Sequence, residues 1–119
     1  MKKILIIEDN ESNLYLIRYI LEKSGYQVIS TPNALTGIEI ALNEKPDLVI
    51  MDVQLPDING LEATRRIRKN TVGKDLKIVA LTSYAMTGDK EKALKAGCDG
   101  YMEKPIDPQT FLNELLGFM

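Results

Sequence analysis

The sequence predicts an α/β protein with a doubly wound sheet of five parallel strands, in the order 2-1-3-4-5, and helices on both faces. Short apolar runs rich in β-branched residues alternate with longer amphipathic stretches along the chain. A length of 119 residues is enough for one domain with its own core. Five strands are too few for an eight-stranded barrel, so an open sheet with right-handed crossovers remains.

The predicted strands are short apolar segments between turn signals. The first, third and fourth include uninterrupted apolar runs, which are typical of parallel strands buried on both faces. The five predicted strands are Ile4–Ile7, Tyr26–Ser30, Leu48–Met51, Ile78–Leu81 and Cys98–Met102.

The predicted helices each have an apolar face and a recognisable start or end. They span Asn10–Ser24, a stretch beginning at Pro32-Asn33, about Leu61 to Asn70, about Met86 to Ala96, and a stretch beginning at Asp107-Pro108. Glycines follow the first and fourth helices, and an N-cap aspartate before proline starts the last. Their expected core-facing residues are Leu14, Ile17 and Leu21; Leu35, Ile38, Ala41 and Leu42; Leu61, Thr64 and Ile67; Met86, Ala93, Leu94 and Ala96; and Phe111, Leu112, Leu115 and Leu116.

Composition excludes several classes of function. Fifteen basic and seventeen acidic residues give a net charge of −2, which provides no general attraction to nucleic acid or anionic lipid. The chain has no histidine, so it cannot supply a histidine base, nucleophile or metal ligand. Its apolar runs are too short to span a bilayer, and its first residues do not form a signal peptide. With the single Cys98, these features lead us to expect a cytoplasmic protein.

Polar residues follow the strands whose ends meet where the strand order reverses, which is where open parallel sheets bind ligands. They are Glu8, Asp9 and Asn10 after the first strand, Asp52 after the third, Thr82 and Ser83 after the fourth, and Glu103, Lys104 and Pro105 after the fifth. The first and third strands are neighbours in the predicted order, about 5 Å apart. We therefore expect the three carboxylates of Glu8, Asp9 and Asp52 to share one small pocket.

Three neighbouring carboxylates repel each other, and a bound cation would stabilise them. Hard oxygen ligands without histidine or an available thiolate favour Mg²⁺ over zinc or copper. Lys104 adds a positive charge and Thr82 a hydroxyl, which suit the oxygens of a phosphoryl group. Asp52 would then be the nucleophile that forms an acyl phosphate. Taken singly, these residues also fit ordinary roles, such as helix caps for Asp9 and Asn10; their conjunction favours phosphoryl chemistry.

Over essentially its whole length the chain resembles the receiver domain of bacterial two-component response regulators. The resemblance rests on Glu8-Asp9-Asn10, Asp52 within Met-Asp-Val-Gln-Leu-Pro, Gly60, Thr82 within Ala-Leu-Thr-Ser, and Lys104-Pro105. It implies a single receiver domain over residues 1–119 with the flavodoxin-like fold of that family. It also implies a cis peptide bond between Lys104 and Pro105.

The resemblance further implies a role for each site residue. Asp52 would accept a phosphoryl group from a histidine kinase or phosphotransfer protein, in a Mg²⁺-dependent reaction. The metal ligands would be Glu8, Asp9, Asp52 and the backbone carbonyl of Gln54. Thr82 and Lys104 would bind the phosphoryl oxygens, and Tyr101 would be an aromatic switch. The protein would catalyse its own phosphorylation and dephosphorylation without being a turnover enzyme. It would signal through the face around the fourth helix, fifth strand and fifth helix, without direct binding to nucleic acid or membrane.

Three other functions remain open on the sequence alone. The first is an interaction module on the same fold that needs no phosphate. The second is an aspartate-nucleophile phosphatase, although Gln54 stands where such enzymes generally need a second acid. The third is a flavin carrier, although Glu8 and Asp9 would repel a bare phosphate. Arg65, Arg66 and Arg68 form a basic cluster for which a solvated face with local ion pairs is favoured over a nucleic-acid patch.

Overall fold

A computed structural model of the protein describes residues 2–83 and 89–119. Strands and helices alternate in them as predicted. The strands are β1 Lys3–Ile7, β2 Gln27–Thr31, β3 Leu48–Asp52, β4 Ile78–Thr82 and β5 Gly100–Glu103. The helices are α1 Glu11–Lys23, α2 Ala34–Glu44, α3 Gly60–Lys69, α4 Asp89–Ala96 and α5 Phe111–Leu116, with a 3₁₀ turn at Val72–Asp75. No helix in these two ranges is long and apolar enough to cross a membrane.

The strands form a parallel sheet in the predicted order, β2-β1-β3-β4-β5. Ile7 at the end of β1 pairs with Met51, and Asp52 at the end of β3 pairs with Leu81. Since the strands are parallel, their C-terminal ends lie together at one edge of the sheet, which we call the carboxyl edge. Glu8 follows Ile7 directly, so it lies level with Asp52 at this edge.

The core has two layers, one on each face of the sheet. Alternate side chains of β1 point to opposite layers, Ile4 and Ile6 to one and Leu5 and Ile7 to the other. Helices α1 and α5 cover the first layer, and α2, α3 and α4 cover the second. These four residues of β1 are fully buried, as expected for a strand with both faces covered.

Three residues expected in the core are exposed. Leu35, Leu94 and Leu116 keep 48%, 46% and 41% of their surface accessible, so these predictions are wrong. Helix α2 instead buries Ala34, Gly37 and Ala41. A Cβ at Gly37 would overlap the Ile7 side chain, so this helix lies too close to the sheet for a larger residue. Helical spacing alone could not show how closely each helix approaches the sheet.

The last strand and the last helix begin later than predicted. Cys98 is not in a strand, because its N–H donates to Ala93 O and completes the last turn of α4. Asp107 caps a turn that precedes α5: its Oδ1 accepts from Gln109 N at 2.9 Å, and α5 itself begins at Phe111. Met86, which was expected to start the fourth helix, lies outside the described residues.

At the opposite edge of the sheet, which we call the amino edge, Arg68 links several segments by hydrogen bonds and an ion pair. Its guanidinium donates to the carbonyls of Gly97 and Gly73 at 2.9 and 2.7 Å and also to Leu76 O. It pairs with Asp99 at 2.9 Å, and Asp99 in turn accepts from Ile78 N at 2.8 Å.

The three arginines therefore do not form one surface patch. Arg65 and Arg66 pair with Glu62 at 3.5 and 3.1 Å on the exposed face of α3, as the favoured interpretation expected. Arg68 is wrongly included in that cluster, because its side chain is only 18% exposed. It joins α3 to the chain around β4 and β5 instead.

Candidate functional site

Three acidic side chains meet at the carboxyl edge. Glu8, Asp9 and Asp52 each place a carboxylate oxygen within 4.8 Å of the other two. Glu8 and Asp52 are buried, with 1% and 2% of their surface accessible, whereas Asp9 is exposed. The pairing of β1 with β3 brings Asp52 to Glu8 and Asp9, although Asp52 lies more than forty positions further along the chain. The expected carboxylate pocket is present.

The Asp52 carboxyl is held in an environment that disfavours its charge. Burial, followed by the adjacent Glu8 carboxyl and its charge, raises the pKa of Asp52 from 3.8 to about 7. The Gln54 N–H, which donates to Asp52 Oδ1 at 3.1 Å, and the Lys104 charge act in the opposite direction but do not cancel this rise. Near neutral pH, Asp52 is therefore only partly ionised, and additional positive charge favours its ionised form.

Lys104 provides the positive charge on one side of this pocket. Its Nζ lies 2.7 Å from Glu8 Oε1 and 3.4 Å from Asp52 Oδ2, and its side chain is only 10% exposed. Its backbone N–H donates to Thr82 O at 2.7 Å, and the Lys104–Pro105 peptide is cis, as the resemblance implied. One ammonium cannot balance three carboxylates once all of them are ionised.

The residues at this edge fit a divalent cation. Both Glu8 carboxylate oxygens are buried and accept no hydrogen bond of good geometry, although the Lys104 ammonium lies at ion-pair distance from Oε1. Buried polar atoms without a hydrogen bond are rare in proteins and call for a partner. Carboxylate oxygens are preferred ligands for Mg²⁺ and Ca²⁺.

The loop that follows Asp52 folds back tightly toward the site. Gly60 N donates to Val53 O at 2.8 Å, which closes the loop between β3 and α3. A Cβ at Gly60 would overlap the backbone carbonyl of Asp52, so only glycine fits at the start of α3. Gln54 lies in this loop, two residues beyond the candidate nucleophile.

Thr82 and Tyr101 line a cavity of about 220 Å³ beside the acidic cluster. Thr82 is buried at the end of β4, whereas the Tyr101 ring is half-buried on β5. Burial, followed by the charges of Glu103 and Asp89, raises the pKa of Tyr101, which therefore stays protonated. The structure thus places both predicted residues at one cavity, which Gln54 also lines.

Sequence reasoning missed Asp57. Its Oδ1 and Oδ2 accept hydrogen bonds from Ala34 N and Leu35 N, at 2.9 and 2.8 Å. These bonds, chiefly the one from Leu35, hold the pKa of Asp57 below its usual range. Asn33, the residue before α2, makes no side-chain capping bond. The partners are more than twenty residues apart, so only the turn-forming character of the loop was visible in the sequence.

Comparison with known proteins agrees with this geometry. A family model for the response regulator receiver domain matches residues 4–116. The polar-differentiation response regulator DivK of Brucella anthropi is 37% identical over 118 residues, a match that covers 99% of this chain and 96% of DivK.

Solved structures show the same fold. The receiver domain of the sensor histidine kinase PA1611 from Pseudomonas aeruginosa, solved with a magnesium ion in its active site cleft, is 33% identical with a TM-score of 0.89. That match covers 98% of this chain and 96% of the other. The chemotaxis response regulator CheY4 of Vibrio cholerae is 26% identical with a TM-score of 0.94, covering 100% and 99% of the two chains.

The family match spans nearly the whole chain, the sheet order agrees with it, and the acidic cluster around Asp52 fits a phosphorylation site. The chain is a member of the response regulator receiver domain family of two-component signal transduction.

Proposed function

We propose that Asp52 accepts a phosphoryl group from a histidine kinase or a histidine phosphotransfer protein in a Mg²⁺-dependent reaction. The observation that carries this proposal is the buried Asp52 carboxylate, grouped with Glu8 and Asp9 and approached by Lys104 Nζ at 3.4 Å. A carboxylate oxygen attacks phosphorus while the bond from phosphorus to the donor imidazole breaks, which leaves an acyl phosphate and a free imidazole. The sequence has no histidine, so the donor imidazole lies outside these 119 residues.

The cation in this proposal is held by Glu8, Asp9, Asp52 and the backbone carbonyl of Gln54. The hydrogen-bond deficit of the buried Glu8 oxygens supports it, as does the magnesium ion in the related PA1611 receiver domain. When bound, Mg²⁺ supplies the positive charge that the carboxylates and the phosphoryl oxygens together require.

Lys104 and Thr82 bind the phosphoryl oxygens from the other side. Lys104 reaches the Asp52 carboxylate directly, and its backbone is bonded to Thr82, so the two residues are placed as a unit. Tyr101 shares a cavity with Thr82, which supports its role as the aromatic switch that responds to phosphorylation. A phosphoryl group adds up to about two negative charges beside this cavity.

The downstream partner is a protein that binds the face around α4, β5 and α5. Leu94 on α4 and Leu116 on α5 are exposed, and Tyr101 on β5 is half-buried, so these elements offer apolar contacts. The net charge of −2 argues against direct nucleic-acid binding. We place this single receiver domain in the cytoplasm, where a free thiol such as that of Cys98 persists. Its phosphorylation and dephosphorylation would serve signalling, without turnover of a separate substrate.

Intact-mass spectrometry after incubation with acetyl phosphate and Mg²⁺ tests the proposal. The unmodified chain should gain the mass of one phosphoryl group, and Asp52→Asn should gain none. Asp47→Asn, at the amino edge, is the matched control and should be labelled like the parent chain. Labelling that persists in Asp52→Asn, or that is equal without Mg²⁺, would contradict the proposal. Partner binding that is unchanged in Asp52→Asn, with no labelling of the parent chain, would support a module that needs no phosphate.

A further inference from the structure

We propose that Asp57 is a positioning residue for the metal site: by capping α2 from a distance, it holds the loop between β3 and α3 so that Gln54 faces the carboxylates. This inference rests on the proposed function, because it assigns a role in cation binding to a residue outside the ligand set. The inference starts from the two hydrogen bonds of Asp57 to Ala34 N and Leu35 N.

The contact joins two segments that are distant in sequence. Asp57 belongs to the loop after the candidate nucleophile, whereas its partners begin α2 on the other side of β1 in the sheet order. Both carboxylate oxygens are used, at 2.9 and 2.8 Å, so the side chain is fixed in position and orientation. A carboxylate at a helix N-terminus is also favoured by the helix dipole.

Among the described residues, the other hydrogen bonds of this loop lie near its two ends, and Leu55 and Ile58 between them pack against the core. Gln54 N bonds to Asp52 Oδ1, and Gly60 N bonds to Val53 O, both close to the strand end. Asp57 lies between these points, three residues beyond Gln54, and is itself exposed. Its bond to α2 therefore restrains the outer part of the loop, and groups that orient metal ligands commonly tune affinity in this way.

Helix α2 has no local cap that duplicates this contact. Asn33 precedes it with extended backbone angles, φ −113° and ψ 137°, which suit an N-cap, yet its side chain makes no capping bond. Asp57 serves instead. This arrangement allows helix stability and loop restraint to be separated by experiment, because a local cap can be restored without restoring the link to the loop.

Isothermal titration calorimetry with MgCl₂ on the full chain tests the inference. Asp57→Ala should weaken Mg²⁺ binding by about tenfold, the lower end of the range for groups that orient ligands. Asp47→Ala is the matched control: Asp47 Oδ2 also accepts a distant backbone N–H, that of Lys3 at 2.7 Å, but at the amino edge. Its Mg²⁺ affinity should stay within about twofold of the parent value, since no orienting group of the metal site is lost.

The double variant Asp57→Ala with Asn33→Asp separates the positioning role from a merely structural one. The new aspartate should restore the urea midpoint by capping α2 locally, while Mg²⁺ binding stays weak. If affinity recovers together with stability, or if Asp57→Ala binds Mg²⁺ like the parent chain, the positioning role is refuted.

Charge loss is the remaining explanation to separate. Asp57→Asn removes the same charge as Asp57→Ala but keeps one acceptor, so its affinity should fall between those of the parent chain and Asp57→Ala. The order should persist at 0.5 M KCl, where long-range charge effects are screened to within about 4–5 Å. Equal losses in Asn and Ala that vanish in high salt would overturn the inference. A parent chain that binds no Mg²⁺ would instead refute the proposed function itself, and the inference with it.

Discussion

The two edges of the sheet treat partly or fully buried charge in opposite ways. At the amino edge, the Arg68 guanidinium is surrounded by backbone carbonyls and Asp99, so its donors have partners. At the carboxyl edge, Glu8 and Asp52 are buried against each other, and Lys104 compensates them only in part. The Glu8 oxygens have no hydrogen bond of good geometry, and the pKa of Asp52 is raised to about 7.

This difference separates a structural charge from a functional one. A charged group whose hydrogen bonds are all satisfied within the fold adds rigidity, and it has no donor or acceptor left to bind a ligand. A charged group without enough partners destabilises the free protein and is relieved by a ligand, which is how binding sites are commonly built. The charged groups at the carboxyl edge thus lower the stability of the free protein, whereas Arg68 at the amino edge raises it.

The largest effect is expected at the amino edge from Arg68→Ala. This change removes the pair with Asp99 and leaves the carbonyls of Gly97, Gly73 and Leu76 without their partner. We expect the free energy of unfolding in urea to fall by about 2–3 kcal/mol. Arg68→Lys keeps the charge but not the planar fork of donors, so it should recover only a small part. A loss below about 0.5 kcal/mol would remove one side of the contrast.

The next effect is a pH dependence that arises at the carboxyl edge. Because the folded-state pKa of Asp52 is raised from 3.8 to about 7, the folded chain binds this proton more tightly than the unfolded chain. Stability without metal should therefore be highest below pH 4 as far as this group is concerned. It should fall as pH rises from about 4 toward 7, because the ionised carboxyl is disfavoured in the folded chain.

Urea titrations at several pH values, compared with Asp52→Asn, isolate that contribution. The difference between the two chains should grow with pH between about 4 and 7 and then level off. Saturating Mg²⁺ should remove most of it, since the cation favours the ionised carboxylate. A difference that does not change with pH would show that Asp52 is not disfavoured in its charged form.

A smaller gain is expected from Glu8→Gln at the carboxyl edge. It removes a buried charge whose oxygens lack hydrogen bonds, while Lys104 keeps Asp52 as its partner. We expect the metal-free chain to become more stable by about 1 kcal/mol at pH 8 and to bind Mg²⁺ more weakly. Glu44→Gln, which breaks the exposed pair of Glu44 with Lys3, is the control. A clear loss of stability in Glu8→Gln would mean that this edge is as well satisfied as the other.

The smallest effect sets the baseline for both edges. Glu62 pairs with Arg65 and Arg66 on the surface of α3, with 41% of its side chain exposed. Glu62→Ala should change the free energy of unfolding by less than about 1 kcal/mol, and less still at high salt. If its effect equals that of Arg68→Ala, burial is not what distinguishes the amino edge.

The sequence was sufficient for the sheet and for the residues at its carboxyl edge. Continuous apolar runs mark strands buried on both faces, and parallel order then forces Glu8, Asp9 and Asp52 to meet, whatever lies between them. Both inferences use only the order of the elements along the chain and the spacing of their apolar residues. The cis peptide at Lys104–Pro105 followed from the family resemblance and is present.

Contacts that depend on how closely elements approach could not be predicted. Arg68 looks like its neighbours Arg65 and Arg66 in sequence, and only the fold brings carbonyls from three segments around it. Asp57 contacts the start of α2 only because the fold brings two distant segments together, and no local sequence pattern predicts that contact. Leu35 has helical spacing suited to the core, but α2 turns its small residues inward because it lies close to the sheet.

The glycine at position 60 has a consequence for how this protein can change. Any side chain at this position would overlap the Asp52 carbonyl, because the first turn of α3 is in close contact with the end of β3. The distance between α3 and β3 is then set by this backbone contact and not by the length of the loop that joins them. A single methyl group at position 60 should therefore shift Asp52.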